Sequence, residues 1–358
     1  MEEASFKQEL DRLILTLIRE GGSDLHLGVG RHPAVRVSRS LIVLRNEAVL
    51  SHETMIGFLQ VMLGVEKVKE FLDAQEVDFS YSYQNKDTHT RLRGNAFIQK
   101  GNLVIALRNI PKVSSFEELH LPQSLELITK KKQGFFLVVG PVGQGKSTTL
   151  AAIVDKINGD RAEHIITIED PIEHIFEEKQ SIINQREIGI DSKTFVTALN
   201  SIFREDANVI MLGEMRNPET IQTAVTAAET GHLVFSTLHT NTAAQTIDRI
   251  IDSFPAEQQD QIRIQLSGSL IGIFSQRLIP RISGGLIPAY ELLLNNSAVS
   301  NLIRESKTQE INIIIETGFE QGMVDMNRCL ISLVQQGEIT LENAYAFSTN
   351  PKALQNLL

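Results

Sequence analysis

Eight consecutive residues restrict this chain more than any others: Gly140, Pro141, Val142, Gly143, Gln144, Gly145, Lys146 and Ser147 fit the pattern G-x-x-x-x-G-K-[ST]. The residues before them, 135–139, are an apolar run of strand type, and the segment that begins at Thr148 has helical spacing. A strand, a glycine-rich loop and a helix start in that order turn successive backbone N–H groups towards one anionic point. The chemistry that fits is a nucleotide's phosphate chain. Lys146 is expected to reach the β and γ phosphates and the Ser147 hydroxyl to hold Mg²⁺, with Thr148 completing the phosphate-binding set.

The flanking pattern agrees with such a loop. Apolar runs at 135–139, 165–168, 209–212 and 233–238 alternate with helical segments, which predicts βα units around a mostly parallel sheet and an α/β fold class. One helix is punctuated at both ends, with Asn217 as N-cap, Pro218 in its first turn and Gly231 just past its end. From about residue 260 onward the text reads as mainly helical. The first hundred residues differ. A helix over 5–20 ends at Gly21-Gly22, and the stretch from 23 to 111 is built of short β-rich runs with a helical segment near 53–72, an α+β domain. A proline-bracketed stretch without periodicity then reads as a connection. The expected division is 1–112 as the N-terminal domain, 113–122 as linker, 123–275 as the ATPase core and 276–358 as a mainly helical C-terminal subdomain. That suits 358 residues, too long for one ordinary core.

Hydrolysis needs carboxylates at strand ends near the phosphates. Glu214 closes the buried run NVIMLG, where Gly213 stands in place of the usual strand-end Asp, and Glu214 suits the polarising of a water in line with the γ phosphate. Glu169 and Asp170 close the 165–168 run, and either could reach the Mg²⁺ shell. The segment GHLVFSTLHT, with His232, Thr237, His239 and Thr240, sets polar residues at the end of a third strand, where a γ-phosphate sensor would sit and either imidazole could touch the nucleotide. A capping or solvated acid and a structural imidazole remain the alternatives for these positions.

Composition narrows the partners. The formal net charge is −10, the basic residues are scattered, and there is no Trp, so nucleic acid is not an expected partner and a nucleic-acid translocase on the same kind of fold is the disfavoured reading. A single cysteine, Cys329, rules out a disulfide framework and a four-cysteine zinc module within one chain. The acidic, polar start and the lack of an apolar run of 18 residues predict a cytoplasmic protein with no integral membrane segment. His26, His164 and His174 show no metal-ligand spacing, Lys130 to Lys132 reads as a solvated helix end, and Met323 and Met326 as core.

Taken together, the segments SDLHL (23–27), the P-loop, TIEDPIEH (167–174), NQREIG (184–189), NVIMLGEMR (208–216), TAAETGHLVFSTLHTNTA (226–243) and IDRIIDSFP (247–255) resemble the secretion-superfamily ATPases, and within them the type IV pilus retraction ATPases, over nearly the whole length. The resemblance implies a PAS-like N-terminal domain, a RecA-like P-loop ATPase domain and a homohexameric ring fed by ATP and Mg²⁺. It implies a ring lying peripherally on the inner membrane against the pilus machine's platform protein, retracting pili for twitching motility. Pilus extension, type II or Dot/Icm-type secretion are the neighbouring roles within the superfamily. Glu214 falls in the family's Walker B segment, Glu169 in its Asp box, and His232 and His239 in its His box. Arg91 and Arg93 match the arginines that complete the nucleotide site from the N-terminal domain. The sequence departs from the family at 298–302, AVSNL, where Ser300 stands in place of an expected Arg.

Overall fold

The computed structural model describes residues 2–37, 40–85 and 89–357. They form two compact units, Met1–Lys112 and Val113–Leu358.

In the first unit α1 (Glu2–Arg19) presents Leu10, Leu13, Ile14 and Leu17 along one stripe, all buried. After it come β1 (Asp24–Gly28), β2 (Ala34–Val37), β3 (Ser40–Val43), α2 (His52–Leu63), α3 (Val65–Ala74), β4 (Glu76–Gln84), β5 (His89–Gln99) and β6 (Asn102–Ile110). The strands make one antiparallel sheet in the order β3-β2-β1-β6-β5-β4. Alternation along the strands turns Leu25, Leu27, Leu92, Ile105 and Leu107 into a core shared with Phe58 of α2 and Phe71 of α3. On the intervening positions, Arg36, Asp24, Arg108 and Arg93 stand in one cross-strand row, with the Arg108 Nε 2.9 Å from the Asp24 carboxylate. This is the predicted α+β unit, PAS-like in its sheet and helices.

The second unit begins with α4 (Glu126–Thr129), β7 (Gly134–Val139), α5 (Lys146–Asp160), β8 (His164–Glu169), β9 (Ile182–Glu187), α6 (Phe195–Ile202) and β10 (Val209–Leu212). It continues with α7 (Pro218–Glu229), β11 (Leu233–Leu238), α8 (Ala243–Asp252), α9 (Ala256–Ser269), β12 (Leu270–Pro280) and β13 (Leu286–Leu294). The helices α10 (Ser297–Arg304), α11 (Ile311–Thr317), α12 (Met326–Gln335), α13 (Leu341–Phe347) and α14 (Pro351–Gln355) close it. The sheet order is β13-β12-β7-β11-β10-β8-β9, parallel except for the β12–β13 hairpin. Apolar cores lie on both faces: Leu137, Ile210 and Val234 pack towards α6 to α9, and Phe136, Met211 and Phe235 towards α5. Such two-sided burial explains the apolar text of β7 and β10 and the Leu233-Val234-Phe235 start of β11. α7 starts as its sequence predicts, with the Asn217 side chain accepting from the Thr220 N–H at 2.8 Å.

Two boundaries fall elsewhere than expected. The division at 275/276 cuts through β12, because β12 and β13 complete the parallel sheet before the chain turns helical at α10. The helices beyond do have a core of their own, in which Met326, Leu330, Ile339 and Leu354 pack on Ile279 and Ile287 of the hairpin. The 113–122 stretch is no free tether either: Phe116 and Leu121 are buried against Phe136 and Ile153 in the second unit. Met323 and Met326 are core residues, as predicted. Cys329 is buried on α12, accepts a hydrogen bond from the Tyr290 N–H, and burial pushes its thiol up to about 12.

Candidate nucleotide site

The loop between β7 and α5 owes its shape to glycine. Gly140 has φ of 150°, and a Cβ there would lie 2.4 Å from the Gln276 carbonyl oxygen on β12. Gly145, at φ 74°, is the N-cap of α5 and gives that helix no side-chain cap. Its first N–H groups therefore stay open to an anion, the arrangement in which a helix start holds phosphate. Lys146, only 7% exposed, bends back over the loop, with its Nζ donating to the Pro141 carbonyl at 2.9 Å. Burial pulls its pKa down from the usual lysine range, against the opposing pull of Glu214 and Glu173.

Strand ends supply the acids. β7, β8, β10 and β11 run in parallel, so the residues following each of them meet at one edge of the sheet. Glu169 ends β8 and is 4% exposed, its carboxylate accepting from Thr167 Oγ1 at 2.6 Å, Gln185 Nε2 at 3.3 Å and the Glu173 N–H at 3.3 Å. Desolvation outweighs these bonds and raises its pKa to about 7. Asp170 is exposed beside it on the cleft wall. Glu214 follows β10 and pairs with Arg216, while the preceding Gly213 carbonyl is pinned by Thr237 Oγ1 at 2.6 Å. His239 follows β11. Its Nδ1 lies 3.2 Å from Lys146 Nζ and its Nε2 3.7 Å from Glu214 Oε2. With the lysine as donor, Nδ1 is assigned as the acceptor and Nε2 faces the carboxylate.

The structure thus brings Gly143, Gln144, Gly145, Lys146, Ser147, Thr148, Glu169, Asp170, Glu214 and His239 to one cleft, with Val142 at its rim. Gly140 and Pro141 shape the loop without lining the cleft. His232 stands apart. It precedes β11 rather than following it, so six strand residues, roughly 20 Å, separate it from His239. There its Nδ1 meets the Ala227 carbonyl at 3.0 Å and its ring packs edge-on against Phe203. Arg91 and Arg93 lie on β5 of the first unit, two positions apart and so on one sheet face. Glu173 and His174 also line the cleft, although sequence reasoning gave neither a role there; the one available signal was their place in TIEDPIEH. Ser300 on α10 donates to the Ser267 carbonyl at 2.8 Å, tying α10 to the end of α9.

A parallel sheet with a glycine loop and an open helix start at its carboxyl edge, faced by acids from two neighbouring strands, defines a RecA-like P-loop nucleotide-binding protein. The chain belongs to the Type II/IV secretion system protein family, which matches residues 2–344. It is 42% identical to the type IV pilus retraction ATPase PilT of Pseudomonas aeruginosa over 94% of this chain and 97% of that protein. A twitching motility protein of Neisseria gonorrhoeae is 44% identical over 85% of this chain and 81% of its own length. Among solved structures, the pilus retraction motor PilT with bound ADP superposes with a TM-score of 0.88 at 44% identity, covering 97% of this chain and 98% of the other.

Proposed function

We propose that this chain is the ATP hydrolase that powers retraction of type IV pili, and so twitching motility. The observation that carries the reading is Lys146, buried in a glycine loop and joined through His239 to Glu214 at the next strand end. Similarity in full length to retraction ATPases supplies the machine in which that chemistry is used. Lys146 and the open N–H groups of α5 hold the β and γ phosphates. Glu214, steadied by Arg216, polarises the attacking water, and Glu169, with a pKa near neutrality, takes or returns the proton. His239, in contact with both Lys146 and Glu214, registers whether the γ phosphate is present. His232 keeps its His-box assignment only through a neighbouring copy, since in its own chain it is far from the loop.

Mg²⁺ fits the donor set: Ser147 and Asp170 offer hard oxygens at the helix start and strand end. Among the described residues no group of three His, Cys, Asp or Glu side chains could hold a metal, and Mg²⁺ characteristically takes most of its ligands from phosphates and water. Magnesium would supply charge neutralisation at the phosphates; every other role above belongs to the chain's own side chains and backbone N–H groups. Arg91 and Arg93 add fixed positive charge from the N-terminal domain within a homohexamer, an arrangement suited to coupling hydrolysis to domain rotation. No helix among the described residues is long and apolar enough to cross a membrane. Similarity to the retraction ATPases is what supports a ring on the cytoplasmic side, docked on the inner-membrane platform protein.

The test is steady-state ATPase activity of the purified protein, with and without chelation of Mg²⁺, beside Glu214→Ala and Arg91→Ala, with light scattering reporting assembly. Turnover by a hexamer, lost on chelation and in both variants while the ring persists, is the expected result. Binding of ATP without turnover would overturn the motor reading, and a deletion strain with normal pili and normal twitching would overturn the retraction role.

A further inference from the structure

Gln276 is 2% exposed in the middle of β12, between Ser275 and Arg277. A neutral amide buried that deeply is retained at a cost unless its donors and its acceptor are used. Its Oε1 accepts from Thr149 Oγ1, on the first turn of α5, at 2.6 Å. Its Nε2 donates to the backbone carbonyl of Gln144, inside the P-loop, at 2.7 Å. The loop answers from its own side: Gln144 Oε1 accepts from the Leu278 N–H at 2.6 Å. The Gln276 main chain also sits over the loop's entry, where a Cβ on Gly140 would meet its carbonyl oxygen at 2.4 Å, and its side chain lies over the exit, where a Cβ on Gly145 would come within 3.1 Å of Nε2. One residue therefore meets the beginning, the middle and the end of the phosphate loop without itself lining the cleft.

We infer that Gln276 is a positioning residue for nucleotide binding: through Gln144 and Thr149 it holds the P-loop in its phosphate-ready curvature. The inference rests on the nucleotide reading of the cleft. A loop of glycines is entropically costly to fix, and a clamp that fixes it before the ligand arrives is repaid as affinity. Because the clamp acts on the loop's ground-state geometry, which phosphates share in substrate and transition state, its loss raises Kd and KM and leaves kcat nearly unchanged. Each hydrogen bond lost from such a clamp corresponds to about a tenfold weakening. The next residue extends the connection, since Arg277 Nη1 donates to the Phe347 carbonyl at the end of α13 at 2.9 Å. The strand that holds the loop is thus tied to the C-terminal helices at the adjacent position.

The experiment measures binding of a fluorescent N-methylanthraniloyl-ADP, together with ATPase kcat and KM, on the full-length wild type, Gln276→Ala, Gln144→Ala and the double variant, with thermal midpoints alongside. The expected result is a rise in Kd and KM of about tenfold or more in Gln276→Ala with kcat within threefold. Gln144→Ala should give a smaller rise, and the double variant should be clearly less than the product of the two. Gln144 is a half-exposed loop residue, so its variant folds and still reports if Gln276→Ala does not. Wild-type Kd and KM in Gln276→Ala, or in Gln144→Ala where only that variant folds, overturn the inference, as does an effect confined to the thermal midpoint. Strict multiplication of the two effects overturns it as well. Failure of the wild type itself to bind the probe would instead defeat the nucleotide reading from which the inference starts.

Discussion

Glu169 offers a sharp test of how the site is built. The group is almost fully buried, and its carboxyl is held near pKa 7 against an ordinary value of 4.5, with desolvation as the leading cause. A carboxyl whose pKa is raised on folding favours the folded state in its neutral form. Its stabilising contribution is complete below about pH 4.5, declines as pH rises through the interval to 7, and is gone above it. A shift from 4.5 to about 7, at about 1.4 kcal/mol per unit, amounts to about 3 kcal/mol. Glu169→Gln keeps an oxygen acceptor for Thr167 and removes the titration. The stability of the variant relative to wild type should therefore increase by about 2 to 3 kcal/mol between pH 5 and pH 8. Urea unfolding of the nucleotide-free protein at fixed protein concentration measures this. Circular dichroism is the suitable signal because the chain has no Trp. Parallel stability profiles for the two proteins would refute the claim that burial leaves this carboxyl neutral at mildly acid pH, and with it the proton-exchanging role given to Glu169.

Two further predictions concern the elements that frame the site. Gly140→Ala places a methyl group 2.4 Å from the Gln276 carbonyl at a backbone φ of 150°, so it should cost about 3 kcal/mol or more and lower nucleotide affinity over a hundredfold; differential scanning fluorimetry and fluorescent-nucleotide titration read both. Asn217→Ala removes the hydrogen bond that caps α7, and should cost about 1 kcal/mol in unfolding experiments while leaving kcat and KM unchanged.

What could be read in the sequence follows physical locality. The P-loop, the Asn217-Pro218 helix start and the strands β7, β8, β10 and β11 were legible because each is specified within a few adjacent residues: a glycine pattern, a cap, an apolar run of strand length. β12 and β13 were not. Leu270–Phe274 is apolar on both faces because cores press on it from both sides, and Ser275-Gln276-Arg277 then break the run, so the strand shows no clean alternation in mainly helical company. β9 carries the polar text IINQRE because it is the edge strand of the sheet. In the site, Glu169, Asp170, Glu214 and His239 were visible as strand-end residues, since parallel strands deliver their carboxyl ends to one edge. His232 shares a motif with His239, but motif membership carries no information on which end of a strand a residue occupies. Gln276 gave no signal: an amide between Ser275 and Arg277 reads as ordinary polar text and becomes meaningful only when a loop 132 residues earlier is laid against it.

The solitary Cys329 has a practical consequence. With its thiol buried in α12 and pushed up to about 12, it holds almost no thiolate at neutral pH and is closed to maleimides. The wild-type chain is therefore already a cysteine-silent background, in which one cysteine introduced at a chosen exposed position carries a fluorophore or spin label at full specificity without a prior round of cysteine removal.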